Sequence, residues 1–278
     1  MKQYQINIMD KQFEIKEYPG EKGTILAIHG LTGNHKNLHY YAETLSGEYR
    51  FISIDLRGRG NSSPMDDSPS IFKHASDVIQ IINALNIEDP ILIGHSMGAY
   101  ISALVGSMDP RVKGIILLDG GGKADETQRD QIKPSLSRLS KDYESPEDYV
   151  EETKVIYSKL GIQWNPELEE NARYEVKEQN GMWKHKSDPK LIAEDFESFY
   201  DYEPKSVCSK VDCDTLLVVA DGKIGEKPPL FNEKSYEDTC KYTKKIETVT
   251  TPSNHYTMVF KNQPEINQQI QQFLSKLK

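Results

Sequence analysis

Four short, continuously apolar runs constrain this chain more than any other feature. They are "TILAIHG" (24–30), "FISIDLRG" (51–58), "PILIGHS" (90–96) and "VKGIILLDG" (112–120). Side chains of a strand alternate between two faces, so a run that is apolar at every position is buried on both. Between the second and third runs, Ile71, Ala75, Val78, Ile79, Ile82 and Leu85 recur at helical spacing. Buried strands separated by amphipathic helices predict an α/β chain with a parallel sheet covered on both faces. Ligands meet such sheets at the carboxyl ends of the strands. A length of 278 residues suits one large domain, or one domain with an insertion.

The pattern breaks after residue 120. Residues 121–205 are rich in charge and in aromatics: Tyr143, Tyr149, Tyr157, Trp164, Tyr174, Trp183, Phe196, Phe199, Tyr200 and Tyr202. No buried-strand run occurs there, and "SPEDYVEETKVIYSKL" (145–160) opens with a good helix start, so a helical insertion is expected. Strand character returns at "CDTLLVVADG" (213–222) and "KKIETVTTPSNH" (244–255), and residues 264–278 close the chain as an amphipathic helix. The alternating N-terminal stretch "MKQYQINIMDKQFEIKEY" predicts an edge hairpin. The expected division is a core of 1–120 and 206–278 around an insertion of 121–205.

Composition removes several function classes. With 34 Lys+Arg against 43 Asp+Glu, the net charge is −9, which repels phosphate backbones and anionic lipid heads. Neither nucleic acid nor a membrane is an expected partner. Cys208, Cys213 and Cys240 are odd in number and lack CxxC spacing, which argues against a disulfide framework or a zinc cluster. They read as free thiols in a reducing compartment. The N-terminus has no apolar stretch of signal-peptide type, and no window reaches the roughly 18 apolar residues of a membrane helix. A cytoplasmic protein is expected, monomeric or homodimeric.

The third run leads into Gly94-His95-Ser96-Met97-Gly98 and then into a helical pattern. A strand-to-helix turn this sharp strains its central residue and lifts the side chain clear of the backbone. Bulk two positions either side would clash, which suits glycine at 94 and 98. Ser96 is therefore a candidate nucleophile, beside the positive end of the following helix.

A serine hydroxyl needs a base. Of seven histidines, His95 is a turn neighbour that points elsewhere, His185 lies in the insertion and His74 opens a helix. His35 and His39 have an i, i+4 metal-ligand spacing but no HExxH and no third ligand, so no metal site is expected. His29 reads as a pin for its own loop. His255, in "TPSNHYTMVF" after the last strand, comes back over the strand ends and is the candidate base. The oxyanion of acyl transfer needs donors. The backbone N–H of Met97 is one candidate. The N–H of Leu31, in His29-Gly30-Leu31-Thr32-Gly33, is the other.

"AIHGLTGN", "SIDLRGRGNS", "IGHSMG" and the late "NHYTM" resemble the α/β-hydrolase superfamily in sequence and in order. The resemblance implies a three-layer fold with a mostly parallel eight-stranded sheet, and a helical cap at 121–205. It carries over Ser96 as nucleophile, His255 as base, and Leu31 and Met97 as oxyanion donors, with no cofactor. A serine at 96 argues against the family's aspartate-nucleophile members, the epoxide hydrolases and haloalkane dehalogenases.

The triad acid departs from the usual pattern. The common slot after the seventh strand falls near Ile224, with Asp221 early and Glu226 slightly late. Asp119, ending "GIILLD" on the sixth strand, is the third candidate, and Gly120-Gly121-Gly122 would give it room. Asp55 and Arg57 are expected to brace their loop as a hydrogen-bonded pair. A minority of the insertion's aromatics, with Met97 and Tyr100, are expected to shape an apolar pocket. The function expected is a serine hydrolase of small to medium carboxylic esters or lactones. The rivals are a C–C bond hydrolase using the same triad and a non-catalytic small-molecule receptor on the same scaffold.

Overall fold

The computed structural model describes residues 1–277. The apolar runs become the centre of an eight-stranded sheet. Its strands are β1 (Lys2–Ile8), β2 (Lys11–Tyr18), β3 (Thr24–Ile28), β4 (Arg50–Ile54), β5 (Pro90–His95) and β6 (Gly114–Leu118), with two more after the insertion. In the insertion lie β7 (Asp142–Tyr143), β8 (Val176–Gln179) and β9 (Met182–His185); β10 (Asp214–Ala220) and β11 (Ile246–Thr251) complete the large sheet. Its order is β1-β2-β4-β3-β5-β6-β10-β11. β1 pairs antiparallel with β2, and β2 antiparallel with β4. The remaining neighbours are parallel. The N-terminal hairpin therefore occupies one edge, as its alternation predicts.

Period-2 alternation divides the core between the two faces. On one face Leu26, Leu92, Ile115 and Leu117 pack under α2 (Ile71–Ala84) and α3 (Met97–Met108). With α1 (His39–Leu45) introduced after β3, the other face buries Ile25, Ile91, Ile93, Ile116 and Leu118 against Tyr41 and Leu45 and against the C-terminal helix. Each fully buried Ile or Leu contributes about 1.5–3 kcal/mol relative to exposure. α2 starts where Ser70 Oγ accepts the Lys73 N–H, and its apolar face meets β-sheet side chains as the spacing requires.

The segment between β6 and β10 adds no strand to the large sheet. It holds α4 (Glu126–Ile132), a 3-10 stretch (Lys133–Ser140), α5 (Pro146–Lys159), α6 (Pro166–Glu175) and α7 (Pro189–Glu197). A second 3-10 turn, Ser198–Asp201, and α8 (Pro204–Cys208) lead back, α8 spanning the expected boundary at 205–206. α9 (Glu233–Tyr242), α10 (Thr257–Phe260) and α11 (Pro264–Lys276) follow. α5 begins as predicted, with Pro146 in its first turn and a capping box between Ser145 and Asp148.

The insertion is not purely helical. β7, β9 and β8 form a three-stranded antiparallel sheet. Its hairpin turns on Asn180 and Gly181, both at positive φ (57° and 79°), the conformation a two-residue primed turn requires. The strands are short and half-exposed, so no buried run marks them. Among the described residues, no helix is long and apolar enough to cross a membrane.

Candidate active site

Ser96 sits at the turn from β5 into α3 with φ 55° and ψ −117°. An L-residue held in this region costs on the order of 1–3 kcal/mol and persists only where its surroundings enforce it. They do so with two hydrogen bonds and two glycines. The Ser96 N–H donates to Leu118 O (3.0 Å), and Ser96 O accepts from the Ala99 N–H (2.9 Å). A Cβ on Gly94 would lie 2.1 Å from Gly98 O, and one on Gly98 would lie 2.0 Å from Ile28 O. Strand and helix can approach this closely only without those side chains.

His255 follows β11, and its ring is held from below. Nδ1–H donates to Asp119 Oδ2 at 2.7 Å. Asp119 is fully buried and, like Ser96, has positive φ (46°). Its Oδ1 accepts from the Ala220 N–H (3.1 Å) and from the Tyr236 hydroxyl (3.0 Å). Burial, then the Asp119 charge, pushes the Tyr236 phenol well above its ordinary range, so it stays protonated and donates. Gly120 lets this strand end close on the elbow, because a Cβ there would lie 2.3 Å from Ser96 O.

Of the three candidate acids, only Asp119 bonds to His255. Asp221 is exposed and donates its backbone N–H to Thr251 O. Glu226 is exposed at the rim of the cavity. The loop carrying His255 is fixed by Asn254, whose Nδ2 donates to Leu160 O (3.0 Å) and Lys223 O (3.2 Å). His95 points away from Ser96 and donates from Nε2 to His255 O (2.9 Å). Burial, reinforced by His255, holds the His95 imidazole well below its ordinary range and therefore neutral. No Ser96–His255 hydrogen bond is formed among the described residues.

The loop after β3 brings Leu31 beside the elbow. A Cβ on Gly30 would lie only 3.3 Å from Ser96 Cβ. His29 pins this loop, as expected: Nδ1–H donates to Gly30 O (2.7 Å) and Nε2 accepts the Leu56 N–H (3.1 Å). Burial pushes the His29 imidazole down to about 3. Met97, as the first residue of α3, has no intrahelical acceptor for its N–H. The Leu31 N–H makes no backbone hydrogen bond among the described residues.

A cavity of about 520 Å³ opens over Ser96 and His255. Leu31, Ile132, Leu136, Ile156 and Leu160 make much of it apolar. Arg138 and Glu175 form a polar wall, 3.3 Å apart, with Arg138 Nη1 also donating to the Tyr149 hydroxyl. Of the insertion's aromatics named above, Tyr157 alone lines this cavity; Tyr174 turns to Asp55 and His35, and the others pack in the insertion or against the main core. Tyr100 is not a pocket residue either. It is fully buried and stacks on Phe199 at 5.0 Å.

The expected Asp55–Arg57 pair does not form. Asp55 accepts from the His35 N–H (2.7 Å), His35 Nδ1 (2.9 Å), the Asn61 N–H (2.9 Å) and the Tyr174 hydroxyl (2.5 Å). Arg57 turns instead to Asp77 and Asp66. The chain turns after Asp55, with Gly58 at φ 72°, and each side chain takes a partner from another element, Tyr174 for Asp55 and Asp77 for Arg57. His39 lies 3.4 Å from Glu43, so His35 and His39 address separate carboxylates. Tyr236 and Asn254 carry no local signal in the sequence, because only long-range contacts bring them to the site.

The profile of the alpha/beta hydrolase fold family matches residues 23–260. The chain belongs to this family. Among curated relatives, it is 32% identical to 3-hydroxybutyrate-oligomer hydrolase of Cupriavidus necator over 108 residues, 38% of this chain and 37% of that protein. It is 31% identical to the esterase YbfF of Escherichia coli over 96 residues, 34% of this chain and 37% of that protein. The chain spans about two-fifths of the length of the curated relatives it matches. The structure of E-2-(acetamidomethylene)succinate hydrolase superposes with a TM-score of 0.85 at 19% identity, covering 98% of each chain, which establishes the α/β-hydrolase fold.

Proposed function

We propose that the chain is a serine hydrolase that cleaves small to medium carboxylic esters through an acyl-enzyme. The observation that carries this reading is the Asp119–His255 hydrogen bond beside a serine held at positive φ. A turn serine with no catalytic task has no reason to keep that strain. Asp119 fixes the tautomer of His255, with the proton on Nδ1 and the lone pair on Nε2. Ser96 Oγ turns to Nε2, gives up its proton and attacks the ester carbonyl. Such contacts commonly tighten only when substrate binds. The developing oxyanion takes hydrogen bonds from the N–H groups of Leu31 and Met97. His255 then returns the proton to the leaving alcohol. Water, deprotonated by His255, attacks the acyl-Ser96 ester and releases the acid. The sequence requires no cofactor.

The cavity volume and its aliphatic lining suit a compact acyl or alkyl group. In this reading residues 121–205 form the cap that supplies Ile132, Leu136, Ile156, Tyr157 and Leu160 to the pocket. The test is hydrolysis of a p-nitrophenyl ester series from acetate to decanoate by the wild type and by Ser96→Ala. Turnover should favour the shorter chains and vanish in the variant. A folded Ser96→Ala protein that retains the wild-type rate would falsify the mechanism.

A further inference from the structure

Arg59 stands two residues after Arg57 and is buried to 1% exposure. Its guanidinium reaches both residues assigned to the oxyanion hole. Nε donates to Leu31 O (3.0 Å), and Nη2 lies 3.9 Å from Met97 Sδ. Nη1 pairs with Asp195 Oδ2 (2.6 Å) and donates to Arg57 O (3.0 Å). Asp195 is fully buried on α7, in the inserted segment, and its Oδ2 also meets His74 Nε2 at 3.1 Å.

The consequence for Leu31 follows from chain geometry. His29 holds Gly30 O, which belongs to the same peptide plane as the Leu31 N–H. Arg59 holds Leu31 O, on the next peptide plane. The two contacts bracket Leu31 and restrict rotation on both sides of it, in a loop that has glycine at 30 and 33. Met97 is steadied by the same guanidinium. We infer that Arg59 is a positioning residue for the oxyanion hole, and that Asp195 fixes Arg59 from the inserted segment. The inference rests on the reading of Leu31 and Met97 as oxyanion donors. It ties cap to chemistry: the pose of α7 sets the aim of the Leu31 N–H.

The planar fork of arginine reaches several acceptors at fixed angles, which an ammonium cannot do. Arg59→Lys keeps a positive charge for Asp195 and loses the directed bond to Leu31 O. Asp195→Asn keeps the packing and a neutral acceptor but removes the charge that holds Arg59. Both variants are compared with wild type for folding by thermal melt, for kcat and KM on p-nitrophenyl butyrate, and for inhibition by butylboronic acid. The boronate adds to the serine and mimics the tetrahedral oxyanion. Each folded variant should lose about tenfold or more in kcat, with KM within about twofold, and lose boronate affinity in parallel. Should neither replacement fold, wild-type rates recovered in Arg59→Gln or Arg59→Met would overturn the inference as directly. Wild-type kcat and boronate affinity in any folded variant of Arg59 overturn it while leaving the serine mechanism intact. Absence of ester turnover and of boronate binding in the wild type instead removes the serine mechanism itself.

Discussion

Asp119 Oδ2 lies 2.7 Å from Nδ1 of His255, and the two reach each other from β6 and from the loop after β11, with β10 between them. The carboxylate sits under the imidazole because β6 is also the neighbour of β5, which ends in Ser96. Asp119 and Ser96 thus leave adjacent strand ends, and the loop after β11 brings the His255 ring over to Asp119.

Replacing Asp119 by Asn retains an acceptor for Ala220 and Tyr236 but favours the wrong His255 tautomer. A fall in kcat of roughly 10³–10⁴ is expected, with the fold retained. Asp221→Asn and Glu226→Gln should stay within about twofold, since neither bonds to His255. Steady-state kinetics on all three variants decides among the acids. A greater loss in Glu226→Gln than in Asp119→Asn would reverse the assignment.

Tyr236→Phe removes one of two donors to Asp119 Oδ1 and leaves a buried carboxylate oxygen with the Ala220 N–H alone. A cost of about 1.5–3 kcal/mol in stability is expected from the lost hydrogen bond to a charged group. The rate should fall only a few fold, because the bond to His255 survives. Urea denaturation alongside kinetics separates the two effects.

The elbow glycines admit no side chain. Gly94→Ala and Gly98→Ala each put a Cβ against a carbonyl oxygen at 2.0–2.1 Å. Backbone cannot move aside as a flexible side chain does, so a loss of at least about 1–3 kcal/mol follows. Gly47→Ala, where nothing lies within 4 Å of the added Cβ but φ is +90°, tests strain without collision. Its loss should be smaller than that of either elbow variant in the same denaturation assay.

His29 gives the stability curve a definite sign. Its folded value is pushed down to about 3 by burial, against about 6.5 in an unfolded chain. The unfolded state therefore binds a proton that the folded state refuses. His29 leaves stability undiminished above about pH 6.5, and its penalty grows as pH falls from there towards 3. The slope for this one group approaches about 1.4 kcal/mol per pH unit. Urea midpoints for His29→Gln between pH 7 and pH 4 should trace a flatter curve than wild type. A parallel curve would show that His29 does not refuse the proton.

The central sheet was legible because its signal is local. A run such as Ile91–Ile93 declares burial on both faces by itself, and Gly94 and Gly98 mark the close approach around Ser96. The hairpin at Asn180-Gly181 also carried a local signal, the dipeptide of a primed turn, but its half-exposed strands resemble a polar helix face in composition. The acid was a different matter. Asp119, Asp221 and Glu226 are all carboxylates near strand ends, and only the juxtaposition of β6 with the β11 loop separates them. Asp55 shows the same limit. Its partner Tyr174 comes from 119 residues away, and no spacing within "DLRGRGNS" could reveal that it prefers His35 and Tyr174 to Arg57.

The most direct measurement is mass spectrometry of the wild-type protein after reaction with a fluorophosphonate ester probe, with peptide mapping of the adduct. One adduct per chain is expected, on the peptide containing Ser96, with labelling sharply slowed in His255→Ala and absent in Ser96→Ala. An unlabelled wild type, or an adduct elsewhere while Ser96 stays free, would contradict the assignment of Ser96 as an activated nucleophile.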